Sequence, residues 1–506
     1  MRAAWCVADI RAAEEELMAR LPEGVLMQRA AAGLARRCAS LLADRGGVYG
    51  SSVLLVVGAG NNGGDALFAG ARLARRGATV RALLVAPDRV HAAGLSALVR
   101  AGGTTVTAPP PTVDLIVDGI VGIGARGGLR GVAAHAAEIV ADLRDRATDP
   151  PVVVSVDVPS GVDVDTGAVE GPAIRADVTV TFGCLKPALV VGPAAVLAGQ
   201  VDLVDIGLPW LDARPAVWIP EATDIARWWP QPAANSDKYS RGVAGVATGS
   251  TAYPGAALLS VAGALAGPAG MIRYAGPVAA DVVRAHPSVV TAPRVSQAGR
   301  VQAWLCGCGS GTDERAQDEL RAVLGSSVPV VLDADALTLL SDSDLAGWLR
   351  RRDAPTVVTP HDREYARLAG DHVGPDRLDA ARRLAARLGV VALLKGDRTV
   401  VATPDGTAWA NPTGTSALAT AGTGDVLAGL LVSLLAGGLA ADRAAVAAAY
   451  VHGLAGRWAA NGPDGPVPVT SVDVAAVLPK VVGSLATAGA PGGGLDGAEA
   501  RPVVSS

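Results

Sequence analysis

Ser52-Val53-Leu54-Leu55-Val56-Val57-Gly58-Ala59-Gly60-Asn61-Asn62-Gly63-Gly64-Asp65 decides how the N-terminal half folds. Residues 52–57 read as a strand, and after Ser52 every side chain is aliphatic, the pattern of a strand buried on both faces. A glycine-rich turn follows, and the amphipathic run 66–76 predicts a helix. Working outward, apolar runs at 79–85, 114–118, 152–157 and 178–182 alternate with helical stretches such as 132–146. Strands that alternate with helices are joined by crossovers, so a mostly parallel, doubly wound α/β sheet is expected.

The pattern breaks between Leu208 and Asp237, where Pro209, Pro215, Pro220, Pro230 and Pro232 stand among scattered Trp residues, and a linker is expected over 212–236. Beyond it the rhythm restarts at 242–249, with a helix from Ala256 and strands at 328–333, 356–359, 390–394 and 399–403. Two α/β domains are therefore expected, at 1–215 and 236–482. Their glycine motifs differ in order and neighbours, so no internal repeat relates them. The Gly-, Ala-, Pro- and Ser-rich stretch 483–506 offers little apolar surface and reads as a disordered tail.

A chain of 506 residues is long enough for two or three domains with large cores. With 50% hydrophobic residues and a net charge of only -4, it fits neither an acidic disordered chain nor a basic nucleic-acid binder. Small-molecule chemistry is the better expectation. The cysteines Cys6, Cys38, Cys184, Cys306 and Cys308 make no even disulfide framework, and Cys306-x-Cys308 alone does not supply a metal site. Asp9, Glu14, Glu15 and Glu16 are foreign to a signal peptide, and the apolar run 426–441 is broken by Gly429, Gly437 and Gly438 and too short to span a bilayer. These features predict a soluble cytoplasmic protein without a membrane partner.

Gly58 to Gly63 matches the dinucleotide-binding pattern G-x-G-x-x-G. The ordinary pattern also places an acid at the end of the next strand to hold ribose, whereas here Asp88 comes late, after Pro87. A standard hydride-transfer site is disfavoured. Asn61, Asn62 and Asp65 instead crowd the turn with groups that can grip a polar ligand or a hard cation. Asp118 ends another strand and leads into Gly122-Ile123-Gly124-Ala125-Arg126-Gly127-Gly128, and Asp157-Val158-Pro159-Ser160-Gly161 follows a third. In a parallel sheet these loops emerge at one edge and can converge on one crevice. Each acid also has a plain reading as a cap or turn former, and Lys186, in Phe182-Gly183-Cys184-Leu185-Lys186-Pro187, one as a solvated cation.

Gly60 to Asp65, Asp157 to Gly161 and Phe182 to Pro187 together resemble the epimerase domain of the NAD(P)H-hydrate repair enzymes, over nearly all of 1–215. The resemblance implies a Rossmann-like fold that interconverts R and S forms of a hydrated nicotinamide ring. It implies that Asn61, Asn62, Gly63, Gly64 and Asp65, the loop Gly122 to Gly128, and Asp157 contact the hydrate. Asn62, Asp118 and Ser160 would help bind potassium, which would hold loops and phosphate oxygens rather than act as a Lewis acid. Asp157 is the candidate acid or base. The chain departs from the family at Ala66, usually glycine, and Ile123, usually threonine.

In the second half, Asn411-Pro412-Thr413-Gly414 precedes Ala421-Gly422-Thr423-Gly424-Asp425, from which a helix starts at once. Unpaired amides at a helix start attract phosphate, and an aspartate inside that turn can take a proton from an acceptor hydroxyl. Leu394-Lys395-Gly396-Asp397-Arg398-Thr399 and Thr359-Pro360-His361-Asp362-Arg363-Glu364 suit nucleotide or substrate contacts. Taken alone, His361 is equally a helix cap. Gly307-Cys308-Gly309-Ser310-Gly311 offers backbone amides, and Asp333 with Asp335 either assists magnesium or begins a helix.

Gly249-Ser250, Asp333 to Leu340, Thr359 to Glu364, Lys395 to Thr399 and Gly422 to Asp425 together resemble the ribokinase-like dehydratase domain of the same family over about 236–482. The resemblance implies hydrate contacts at Gly270, Gly309, His361 and Asp425, and adenine-nucleotide contacts at Lys395, Gly396, Asp397, Arg398, Thr399 and Gly424. Departures fall at Ala421, Cys308 and Asp362-Arg363. The implied reaction phosphorylates the ring hydroxyl of the S hydrate, with magnesium on the nucleotide and Asp425 as base, and phosphate then leaves to regenerate NADH or NADPH. ADP is expected as the donor in a bacterial member, with ATP as the other possibility. The substrates would be NADHX and NADPHX, and a homo-oligomer is expected. Two other readings stay open: a ribokinase-like vitamin or sugar kinase with a Rossmann-like regulatory module, and a non-catalytic N-terminal binding module.

Overall fold

The structure is a computed structural model and describes residues 1–124, 127–209, 213–341 and 343–488. The chain divides into two compact units, Ala3–Trp218 with Pro375–Arg377, and Ile219–Gly374 and Leu378 onward with Met1–Arg2.

The first unit contains α1 (Val7–Met18), α2 (Val25–Ala43), β1 (Ser52–Val57), α3 (Asn61–Ala74), β2 (Thr79–Leu84), α4 (Ala92–Arg100), β3 (Thr104–Val106), β4 (Leu115–Gly119), α5 (Val132–Arg146), β5 (Val152–Val156), β6 (Val178–Phe182) and β7 (Gln200–Val204). Its strands lie in the order β3-β2-β1-β4-β5-β6-β7 and are parallel throughout. Val53 is in register with Leu115, and Val57 with Gly119. The order reverses between β1 and β4, where α/β sheets of this kind open a ligand crevice. Side chains of β1 alternate between the two faces: Val53, Leu55 and Val57 join the core that includes residues of α2 and α3, while Leu54 and Val56 join the one that includes residues of α5. Both faces are buried, as the unbroken apolar run predicts. The helix after β1 starts at Asn61 rather than Ala66, so the Asn-Asn-Gly-Gly-Asp stretch forms its first turn.

The second unit contains α6 (Ala222–Trp228), β8 (Val243–Ala247), α7 (Pro254–Leu265), β9 (Met271–Ala275), β10 (Val290–Ala292), β11 (Ala303–Cys306), β12 (Val330–Leu332), β13 (Thr356–Val358), α8 (Asp362–Ala369), β14 (Val391–Leu394), β15 (Val400–Ala402), β16 (Ala408–Ala410), α9 (Thr423–Ala436), α10 (Ala441–Ala459) and α11 (Ser471–Ala488). Its sheet runs β16-β15-β14-β13-β12-β11-β8-β9-β10, parallel from β10 to β14 and antiparallel at β15 and β16. α9 is buried along almost its whole length, and it approaches α7 closely. A Cβ on Gly263 would stand 2.1 Å from the Val426 carbonyl oxygen, and one on Gly429 2.0 Å from that of Ser260. Glycine at these two positions lets the backbones meet. Among the described residues no helix is long and apolar enough to cross a membrane.

Two expectations are corrected. The stretch 212–236 holds the strand Val217–Ile219 and α6, the latter closed by a Glu221–Asp224 capping box, with the Met1 ammonium 2.7 Å from Asp224. Its prolines fall beside these elements rather than inside them: Pro220 precedes the helix cap and Pro230 follows the helix end. In the expected tail, residues 483–488 continue α11, whose apolar face carries the helix past Gly483; residues 489–506 lie outside the described residues.

Candidate functional site

In the first unit the ends of β1, β4, β5 and β6 bring four loops to one sheet edge. Asp118, near the end of β4, is fully buried and takes hydrogen bonds from Ser155 Oγ at 2.7 Å, Ser160 Oγ at 2.6 Å and Ser160 N at 2.9 Å. Burial raises its carboxyl above the ordinary value, and the serine hydrogen bonds only partly offset this. Asn62 reaches across from α3 and donates to the Val156 carbonyl at 2.6 Å. Gly122 lies so close that a Cβ there would be 2.2 Å from Asn62 Oδ1. Asn62, Asp118, Ser160 and the start of the 122–128 loop therefore form one oxygen-rich cluster.

Asp157 follows β5 with φ 69°, a left-handed conformation that strains a side chain of this kind. Its Oδ1 accepts from Lys186 Nζ at 2.5 Å, Thr181 Oγ1 at 3.0 Å and Phe182 N at 3.3 Å. Lys186, 1% exposed, also donates to Thr181 Oγ1 and the Phe182 carbonyl, each at 2.9 Å. The solvated-lysine reading is excluded. Asp157 faces a cavity of about 1060 Å³ that Asn61, Asn62, Asp65, Ile123, Glu14, Phe68 and His91 also line, together with much of the segment from Met18 to Ala32.

Of the expected contacts in this unit, Asn61, Asn62, Asp65, Ile123 and Asp157 reach the cavity, and Gly63 and Gly64 are buried in the turn of α3 behind it. Gly124 lines a smaller depression of about 290 Å³ with Arg11 and Asp163. Gly127 and Gly128 pack toward Glu170 and Gly171 instead. Ala125 and Arg126 lie outside the described residues. Sequence reasoning missed Glu14 and the wall supplied by α1 and α2, because these residues carry no motif. An unexplained acid on an amphipathic N-terminal helix was the available signal.

In the second unit a matching edge is built from the ends of β11, β12, β13 and β14. Lys395, just after β14, donates to Asp333 Oδ1 at 2.8 Å and stands 3.6 Å from Glu364 Oε2. Burial works against its charge, but Asp333 and Glu364 outweigh it and hold the ammonium above its ordinary value. Cys308, Asp333 and Asp425 have ligating atoms within 4.8 Å of one another. Burial and the Asp333 charge push the Asp425 carboxyl up to about 7, and burial raises the Cys308 thiol well above its usual range. Asp425 lies in the first turn of α9, whose N-terminal amides come from 422–425, and a Cβ on Gly424 would be 3.5 Å from Lys395 Nζ. Ala334, next to Asp333, has φ 51°; with Asp157 it is one of the two described non-glycine residues in this strained region. Each crevice thus holds one.

The structure brings Gly424, Asp425 and Lys395 together and puts Gly309 at the same edge, after β11. Gly396 and Thr399 close the β14–β15 turn on each other, while Asp397 and Arg398 pack against Pro412 and Gly414. His361 caps α8: its Nδ1 accepts from the Arg363 and Glu364 amides, and its Nε2 is 3.5 Å from Glu364 Oε1. The carbonyl of Pro360, next to it in the chain, accepts from the Lys395 amide at 2.8 Å. Gly270 is a correction. It precedes β9 and bonds to Gly242 before β8, at the opposite end of a parallel sheet from the Asp425 cluster. Of the acid pair, Asp333 joins the cluster whereas Asp335 accepts from the Gly311 amide at 2.8 Å.

Residues 244–476 match the family described as NAD(P)H-hydrate dehydratase, and residues 23–188 match that described as YjeF-related protein N-terminus. The chain is 48% identical over 447 residues to the bifunctional NAD(P)H-hydrate repair enzyme Nnr of Mycobacterium tuberculosis, covering 88% of this chain and 91% of that one. It is 47% identical over 474 residues to the enzyme of the same name from Mycobacterium leprae, covering 93% and 97%. A crystal structure of ADP/ATP-dependent NAD(P)H-hydrate dehydratase from Bacillus subtilis, co-crystallized with ATP/Mg2+, is 30% identical and covers 53% of this chain and 99% of that one, with a TM-score of 0.47. Likeness to the two mycobacterial proteins covers most of this chain and most of each of them, and the two family matches fall one in each half, so the chain belongs to the family of bifunctional NAD(P)H-hydrate repair enzymes.

Proposed function

We propose that the first unit interconverts the R and S hydrates of NADH and NADPH, and that the second dehydrates the S form at the expense of ADP. The observation that carries this reading is the pairing on one chain of two crevices with unlike chemistry. One has an aspartate locked to a buried lysine, and the other has an aspartate poised near neutrality at a helix N-terminus.

In the second unit, the amides of 422–425 and the helix dipole suit the transferring phosphoryl group, and Lys395 adds positive charge nearby. Asp425 takes the ring hydroxyl's proton as its oxygen attacks phosphorus. A carboxyl near 7 is better matched to that step than an ordinary aspartate. The leaving hydroxide becomes a leaving phosphate, and its departure restores the dihydronicotinamide. Gly309, His361 and the 395–399 turn are assigned to substrate and nucleotide. Cys308, Asp333 and Asp425, with a protonated thiol and Lys395 beside them, do not make the oxygen cage magnesium prefers. Magnesium would enter on the nucleotide's phosphates.

In the first unit, Asp157 is the charged group beside the ring, and the oxygens of Asn62, Asp118 and Ser160 fit potassium. The buried Asp118 carboxylate is met by hydroxyls and amides, so a monovalent cation would balance its charge. That ion would hold the loops in place while the side chains move protons. Among the described residues no cysteine forms a disulfide, which fits a reducing cytoplasmic setting.

The test is to mix purified protein with separate R and S hydrates, ADP or ATP, magnesium and potassium, and follow dihydronicotinamide absorbance. S hydrate should yield reduced cofactor directly and R hydrate after epimerisation, with ADP the better donor. A stable phosphorylated product without reduced cofactor would instead identify a kinase.

A further inference from the structure

We infer that Asp65 is the acid of the epimerase site, the carboxyl that gives its proton to the departing ring hydroxyl. The inference rests on the epimerase reading above and deepens it, since that reading needs only that Asp65 touch the hydrate.

Asp65 sits in the first turns of α3, is 6% exposed and lines the 1060 Å³ cavity with Asp157 and Glu14. Its Oδ1 has no hydrogen-bond partner among the described residues. Asp157, on the same cavity, is the opposite case, with three donors on one oxygen, one of them an ammonium. A lysine has three N–H donors, and Lys186 directs them to Asp157, Thr181 and Phe182, leaving none for Asp65. The cavity therefore holds one carboxylate with its counter-charge in place and one carboxyl with none. Ionising the second would bury a partnerless anion beside an existing one, so it stays protonated. Burial first, then the charges of Asp157 and Glu14, raise its pKa well above the ordinary value. A carboxyl raised in this way, on the same cavity as a lysine-paired one, is placed to act as the acid.

The step balances without a further reagent. Asp65 gives its proton to the hydroxyl of the R hydrate while the C–O bond breaks and its electron pair leaves with oxygen as water. The ring-nitrogen lone pair moves into a C=N bond and gives a planar cation, which the Asp157 charge stabilises. Water adds to the opposite face, the C=N pair returns to nitrogen, and Asp157 takes the proton lost by the added water. Water bound to such a cation is acidic enough for a lysine-paired carboxylate to accept from it. The proton then passes from Asp157 to Asp65 through water in the cavity, and the S-to-R direction runs the same steps backwards.

The charged and titratable groups facing Asp65 are Glu14 from α1, Asp157 after β5 with Lys186 behind it, and His91 at the cap of α4. The test follows R-to-S conversion against pH in the full-length protein, using the two separated NADH hydrates. Asp65→Asn, nearly the same shape, should lose about 100-fold or more in kcat with little change in KM, the usual scale for a general acid. In the unaltered protein kcat should fall at high pH as Asp65 ionises, and Glu14→Gln should move that fall to lower pH by removing a like charge. The inference is overturned if Asp65→Asn interconverts the hydrates within threefold of the parent rate, or if the high-pH fall stays put in Glu14→Gln. The pH profiles decide even if Asp65→Asn does not fold. If the parent protein fails to interconvert the hydrates, the epimerase reading itself falls and takes this assignment with it.

Discussion

Asp425 and Lys186 show how one buried charge is used in opposite ways. The Asp425 carboxyl is raised to about 7 by burial and by Asp333, so its ionised fraction grows as pH rises through neutrality. Dehydratase kcat/KM should therefore climb with pH and level off above an apparent pKa of about 7. Asp425→Asn should lower it by about 1000-fold or more while leaving R-to-S conversion intact. The same shift bears on stability. With the folded value above the unfolded one, the folded state binds the extra proton between about 4 and 7, so stability is lost as pH rises through that window. Asp425→Asn escapes this loss. It should be more stable than the parent at pH 8 by roughly 1–3 kcal/mol, read as a higher unfolding temperature, and match it near pH 4; equal transitions at pH 8 would contradict the shift. Lys186 is 1% exposed and saturated with acceptors. Lys186→Met leaves Asp157 a buried charge without its counter-ion and should destabilise the first unit by about 3–5 kcal/mol, the usual result of breaking a buried pair from one side. Calorimetry should show that transition moving while S-hydrate dehydration persists below it.

At the scale of elements, the crossing of α7 and α9 holds in place the helix start at 422–425 that is proposed to bind phosphate. Gly263→Ala puts a methyl 2.1 Å from a carbonyl oxygen of Val426, one residue past Asp425, so the helices must part. The expected result is a loss of about 2 kcal/mol or more and a dehydratase rate that falls with it, measured by thermal unfolding and turnover on S hydrate. The loops at the ends of β4 and β5 are joined through Asp118 in a comparable way. Potassium should raise the melting temperature of the protein and its epimerisation rate relative to a larger or bulkier cation, and Asp118→Asn should abolish both responses. What the sequence reveals at this scale follows physical lines. Strands such as 178–182 and helices such as 132–146 are legible to the residue, because burial on known faces writes a period into the side chains. The start of α3 is not, since asparagine and glycine signal a turn whether or not that turn is already helical. The strand and helix inside 212–236 hide behind prolines that in fact flank them. Asp157 and Asp425 are legible through their neighbours. The Lys186–Asp157 and Lys395–Asp333 pairs are not, because they join residues 29 and 62 positions apart that only the sheet brings together. Gly270 errs for the same reason: a motif position does not say which end of a strand it occupies.

For the whole molecule, two crevices on separate units of one chain turn a stereospecific reaction into one that empties both epimers. A dehydratase that accepts only the S form drains an equilibrium that the epimerase keeps refilling from the R form. Each unit has its own sheet edge, its own non-glycine residue at positive φ, Asp157 in one and Ala334 next to Asp333 in the other, and its own lysine paired with an aspartate. The two activities should therefore separate and recombine through free solution. With an equal mixture of R and S hydrates and excess ADP, Asp157→Asn should stop after the S half is consumed, apart from uncatalysed epimerisation, and Asp425→Asn should regenerate no cofactor. An equimolar mixture of these two variant proteins should carry the reaction to completion, because S hydrate formed on one chain reaches the working dehydratase of another. Absorbance of the dihydronicotinamide reads all three reactions. If the mixture stalls at half while the parent protein finishes, the hydrate must pass between sites without leaving its own chain, and independence of the two crevices is wrong.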